Sequence, residues 1–120
     1  MKICAWFMTH RPTPDQRADL EARGYDVIHI SQSVKDYSSE RIWQYIQDCC
    51  PDVALVVAVM PARKLAKLAY VAPVPILTAR MQREDKGNGN AVYHWSGRWQ
   101  QVVGWAIKTE HWTGTSHLQS

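Results

Sequence analysis

Apolar residues in this chain fall into short runs separated by polar segments of helical period. The first run, Ile3-Cys4-Ala5-Trp6-Phe7-Met8, is too short to span a membrane and predicts a buried strand. Thr13 then suits a helix N-cap, Pro14 the first helical position and Gln16 position N3, which together make a capping box. The predicted helix runs to Arg23, where Gly24 supplies a left-handed stop. Its apolar face is thin: Ala18, Leu20 and Ala22. Residues 25–30 alternate and are rich in β-branched side chains, so they predict a second strand. A polar connection over 31–37 leads to Ser38 or Ser39 as the cap of a second helix. That helix carries a core-facing stripe of Ile42, Trp43, Ile46 and Cys49. Residues 53–60 form an unbroken, valine-rich run, the pattern of a parallel strand buried on both faces. Pro61 suits N1 of a third helix reaching to about residue 70, with Leu65, Leu68 and Ala69 turned inward. Residues 74–79 give a fourth strand, with Pro75 at its beginning.

The pattern then changes. Residues 82–90 are polar throughout and contain Gly87-Asn88-Gly89-Asn90, which predicts a mobile loop. Residues 91–95, a Ser96-Gly97 turn and residues 98–107 predict a β-hairpin. Trp99, Val103, Trp105 and Ile107 share one parity in its second arm, and a helix over 100–108 is the rival reading. Residues 113–120 are expected to be a disordered tail. The sum is a single three-layer α/β domain over residues 1–112, with a mainly parallel four-stranded sheet, three helices and a C-terminal antiparallel β-hairpin.

Composition narrows the function classes. With 120 residues, 46% hydrophobic and 21% charged, the chain is long enough for one core. A net charge of +3 permits an anionic ligand, but no helix shows the clustered Lys and Arg of a duplex-DNA binder. There is no transmembrane run and no signal-peptide pattern, so the expected compartment is cytoplasmic and no membrane partner is expected. Cys4, Cys49 and Cys50 fit a reducing compartment. No zinc-ligand spacing occurs, and no metal or cofactor is expected.

Candidate chemistry lies at the strand ends. If the strands are parallel, Thr9-His10-Arg11, Pro61-Ala62-Arg63-Lys64 and Thr78-Ala79-Arg80 all follow strands at one sheet edge, where open α/β sheets bind ligands. Ser31, Gln32 and Ser33 add polar contacts after the second strand. Unpaired amides at the helix starts would suit an anion. Each cation taken singly fits a solvated surface better than a site, and it is their place at three strand ends that carries the reading. Acidic pairs, magnesium-holding carboxylates, a Gly-x-x-x-x-Gly-Lys loop and a Gly-x-Gly-x-x-Gly fingerprint are all missing from these loops. The remaining site is cationic, suited to phosphodiesters. His10 is its one candidate for proton transfer, against the plainer role of bonding the loop backbone.

An apolar strand followed by His10-Arg11-Pro12-Thr13-Pro14-Asp15-Gln16 resembles the opening of the small CRISPR-associated ring nucleases. Pro12 stands where that family carries an aliphatic residue, and the likeness covers about the first sixteen residues. The resemblance implies a Rossmann-like fold, a homodimer and cleavage of cyclic oligoadenylate, ending a type III CRISPR signal; the missing carboxylates make the expected reaction metal-independent. His10 and Arg11 would then be catalytic, and Thr9, Ser31, Arg63, Lys64, Thr78 and Arg80 ligand-binding. Two other classes stand beside it: a non-catalytic sensor or sponge for cyclic nucleotides, and an interaction protein of a mobile element. Trp95, Trp99, Trp105 and Trp112 exceed what one small core needs, and the expectation is that they form a subunit interface.

Overall fold

The computed structural model describes residues 1–31, 36–87, 89–103 and 106–112, with 106–111 described by backbone alone. The elements are β1 (Lys2–Phe7), α1 (Pro14–Ala22), β2 (Tyr25–Ile30), α2 (Ser39–Cys49), β3 (Val53–Ala58), α3 (Ala62–Val71), β4 (Ile76–Gly87), β5 (Asn90–Val103) and β6 (Ala106–His111). They build an α/β fold around one mixed sheet of order β2-β1-β3-β4-β5-β6. The β1–β2, β1–β3 and β3–β4 pairs are parallel, while β4–β5 and β5–β6 are antiparallel. Each parallel step is made through a helix, so α1, α2 and α3 all begin at the carboxyl edge of the sheet.

Alternation along the strands divides the core into two clusters. Ala5 and Phe7 of β1 join Val56, Ala58, Ile42 and Ile46 of α2, and Leu65 and Leu68 of α3. Cys4 and Trp6 join Leu55, Val57, Leu20 of α1, Trp99 and Trp112. The expected both-faces burial of the valine-rich run holds for Leu55 through Ala58, but the strand ends there and Val59 is exposed.

Local signals at the first helix are met as read. Thr13 is the N-cap; its Oγ1 accepts from the Gln16 amide at 3.2 Å, and Gln16 Oε1 accepts from the Thr13 amide at 3.0 Å. Gly24 takes φ 91°, a conformation that a side chain would strain. Ala18 and Ala22 are exposed, however, and it is Gln16 that is buried beside Leu20. Replacing Thr13 with alanine should therefore cost about 0.5–2 kcal/mol of stability in a urea titration, since the cap bond and its reciprocal partner are lost together. An unchanged midpoint would show that the box contributes nothing.

Several boundaries move. Ser38 is the cap of α2. Pro61 is the N-cap of α3 rather than N1, while the helix itself starts at Ala62 as expected. Cys49 is exposed and Cys50 buried, because α2 ends there and the chain turns Cys50 inward. The largest change concerns residues 82–90: instead of a loop, β4 runs on to Gly87 and pairs with β5 from Asn90, making a long antiparallel arm. Solvent on both faces removes the apolar alternation by which a strand is recognised. Ser96-Gly97 is not a hairpin turn but lies within β5; Ala79 pairs with Trp99 and Met81 with Trp95, so residues 96–98 bulge opposite one residue. Gly97 there has φ 84°. The rival helix over 100–108 is excluded by β5 and β6, although 104 and 105 lie outside the described residues. Trp105, Gln32, Ser33 and the tail 113–120 lie outside them as well. Among the described residues no helix is long and apolar enough to cross a membrane.

Burial decides thiol chemistry. Burial first, and the nearby Cys50 second, push the Cys4 thiol up to about 12; burial raises Cys50 too, helped by Cys49. A raised thiol keeps its proton in the fold while the unfolded chain loses it. The stability contribution is thus complete below about pH 8.5 and is lost as pH rises towards about 12. At pH 8, native protein should release one equivalent with a thiol reagent quickly, from exposed Cys49, and the other two only on unfolding. Three fast equivalents would contradict the burial of β1 and Cys50.

Candidate functional site

The loop leaving β1 is pinned by two side chains that bond its carbonyls. The indole Nε1 of buried Trp6 donates to the His10 carbonyl at 2.8 Å. His29 Nε2 lies 2.8 Å from the Met8 carbonyl oxygen, and because a carbonyl only accepts, Nε2 carries the proton. His29 is structural, as its place on the second strand suggests. With two carbonyls pinned, the His10 side chain is left exposed on the rim of a cleft of about 340 Å³.

The cleft opens where β1 and β3 lie side by side and their chains leave in different directions, which is the ligand-binding crevice of open parallel sheets. Its wall is apolar: Trp6, Met8, Val59, Ala79 and Met81. Its polar members are His10, Arg11, Thr13 and Gln16, with no carboxylate among them. Val59 and Met81 are 59% and 46% exposed, so the mouth of the cleft is apolar as well as its wall.

Only part of the expected constellation comes together. His10 and Arg11 line the cleft, whereas Arg63 and Lys64 line a separate depression with Ser38, Ser39 and Lys67, between the starts of α2 and α3. There Ser39 Oγ donates to the Lys64 carbonyl at 3.0 Å, and Lys67 pairs with Glu40 at 3.2 Å. The Glu40 carboxyl is held below its usual range, first by a backbone amide at the helix start and then by Lys67. Thr78 and Arg80 alternate with Ala79 and Met81 along β4, so they belong to the sheet face away from the cleft. Thr9 and Ser31 are exposed near the carboxyl edge and do not line the cleft. The physical reason is topological: strand ends share an edge, but α1 packs with one core cluster and α2 and α3 with the other.

The helix start is not the anion cradle expected either. Pro14 has no N–H, the Gln16 amide is bonded to Thr13 Oγ1, and Asp15 brings a carboxylate to the first turn. Met8, Val59 and Met81 were not singled out by sequence reasoning; the only signal was that each closes or follows an apolar strand.

The tryptophans are mostly core. Trp99 and Trp112 are buried, and Trp112 lies 6.0 Å from the Tyr25 ring with the Arg23 guanidinium 5.1 Å from its centroid. Trp112 is thus an intramolecular anchor and not the interface expected of it. Trp95 is half-buried, 4.9 Å from Trp99. Among the described residues no group of three or more His, Cys, Asp and Glu is placed to hold a metal ion. Compared with family models, curated proteins and solved structures, the chain matches none.

Proposed function

We propose that the cleft beside β1 binds a nucleotide unit of cyclic oligoadenylate and that the chain is a ring nuclease cleaving it to linear products. The observation that carries this reading is one apolar wall with two side chains of basic type, His10 and Arg11, on its rim. The wall offers Trp6, Met8, Val59 and Met81 to a base, and Arg11 offers a charge-assisted hydrogen bond to a phosphodiester. The choice of cyclic oligoadenylate rests on the resemblance of residues 10–16. We read the architecture as three-layer and Rossmann-like, the working compartment as cytoplasmic, and the active form as a homodimer. At about 340 Å³ the cleft is near the lower end of the ~300–1,000 Å³ of small-molecule sites. It fits one nucleotide and not a ring, so a symmetric ring would engage two clefts.

In the proposed reaction the ligand's 2′-oxygen attacks its own phosphodiester in line. A new 2′-O–P bond forms and the bond to the 5′-oxygen breaks. His10 accepts the 2′-hydroxyl proton, and the leaving 5′-oxygen takes one from water. Arg11 stabilises charge on the phosphoryl oxygens.

The test is incubation with cyclic oligoadenylates of several ring sizes in excess EDTA, followed by chromatography. Linear products support the enzyme. Binding by calorimetry without turnover would leave the sensor or sponge, and affinity should then fall with rising salt, less steeply than for a duplex binder. Neither binding nor turnover would leave only the interaction protein and remove this proposal.

A further inference from the structure

Among the described residues, the outer part of the β4–β5 arm is exposed on both faces. Among the described residues, β4 beyond Leu77, its last residue paired with β3, is bonded on one side only, and β5 before Trp99 is likewise paired with β4 alone. Every described residue from Arg80 to His94 is exposed except half-buried Ala91. A ribbon of two strands is marginal in water unless something packs on a face.

The two faces of the arm differ. Register puts Met81 opposite Trp95, Arg83 opposite Tyr93 and Asp85 opposite Ala91, all on the face that continues from the cleft. The other face carries Gln82 opposite His94 and Glu84 opposite Val92. Tyr93, 63% exposed, and Met81 thus form an apolar patch beside anchored Trp95, whose Nε1 donates to the Arg98 carbonyl at 3.0 Å. Arg83 on this face is tied to Asp85 at 3.2 Å, so the patch offers both charges and no unopposed cation. That balance disfavours a phosphate backbone. It suits a two-fold copy of itself, where the Arg83 and Asp85 of one arm can meet their opposites.

We infer that the Met81–Tyr93 face of the arm is a homodimer surface on which a second copy of this chain packs its own arm. This does not depend on what the cleft binds. Because Met81 belongs to both the cleft lining and the arm, association places the partner's arm beside the mouth of the cleft. The arm from Met81 to Gly87 is about 24 Å long and two strands, about 10 Å, wide. Its face is well under the ~800 Å² per partner of a standard interface, so the dimer should be weak and concentration-dependent.

Sedimentation equilibrium of the full chain between about 5 and about 200 μM should show a mass rising from monomer towards dimer. Tyr93→Lys should abolish the rise, while Val92→Lys, on the opposite face and equally near the arm's tip, should leave it. Far-UV circular dichroism of both variants should match the parent, since both side chains are exposed. A monomer at every concentration overturns the inference. So does equal loss in both variants, which would place association on an edge or the other face, and so does dimerisation unaffected by Tyr93→Lys. Single-stranded RNA bound by the monomer and lost in Tyr93→Lys would assign the face to nucleic acid instead.

Discussion

Trp99→Ala should lower the free energy of unfolding by about 3–5 kcal/mol, the range for removing a large aromatic from a packed core. Trp99 is 1% exposed and stands edge-on to Trp6, with ring centroids 6.1 Å apart. It also packs against Trp95, and its Nε1–H donates to Asp19 Oδ2 at 2.7 Å. That bond reaches from β5 to α1 across eighty positions of sequence. The same carboxylate pairs with Arg23 Nε at 2.8 Å, so it keeps one partner when the indole goes. Trp99→Phe should therefore cost less than the alanine variant: a six-membered ring remains, while the pyrrole part of the indole and its charge-assisted bond go, the bond alone for about 1.5–3 kcal/mol. Domains of this size are stable by about 5–15 kcal/mol, so the alanine variant should unfold at markedly lower urea. If it costs under about 1 kcal/mol, β5 is not joined to the core in this way.

Trp99 also shows where sequence reasoning stopped. Capping at Thr13 and Gln16, the stop at Gly24 and the buried strand after Asp52 were legible because each is a local signal with one reading. Tryptophan count is different: it gives surplus apolar area but not what covers it. Trp99 and Trp112 turned inward because α1 and Tyr25 meet them, a contact that no periodicity announces. Residues 82–90 read as a loop for the opposite reason, since a strand wet on both faces has no apolar alternation. Gly97 reads as a turn in the sequence because a bulge and a turn ask for the same positive φ. The candidate site was legible to the sheet edge and no further. Sequence order places Arg11, Arg63 and Arg80 after strands, yet the face on which each lies depends on where the helices pack. Arg11 therefore shares a cleft with His10, and Arg63 does not.

That separation makes the catalytic reading testable residue by residue. In the proposed reaction His10→Ala should slow cleavage of cyclic oligoadenylate by about 10²-fold or more, the usual loss when a proton-transfer group is removed. The fold should be unaffected, because His10 enters the hydrogen bonds of the loop through its carbonyl, which alanine retains. Arg11→Ala should weaken both binding and rate, by about 1.5–3 kcal/mol for a charge-assisted contact to phosphate. Arg63→Ala and Lys64→Ala line the other depression and should change either quantity by less than about 2-fold, within the spread of surface substitutions. Equal sensitivity at Arg11 and Arg63 would mean that the ligand spans both depressions and that the single-cleft assignment is wrong. Product analysis decides the chemistry independently of the rates. A 2′,3′-cyclic phosphate end formed in excess EDTA requires attack by the ligand's own hydroxyl, for which this cleft needs only a base, a cation and a wall that fixes the nucleotide. A 3′-hydroxyl with a 5′-phosphate, appearing only when metal is added, would require an activated water, and His10 would then be a positioning group at most.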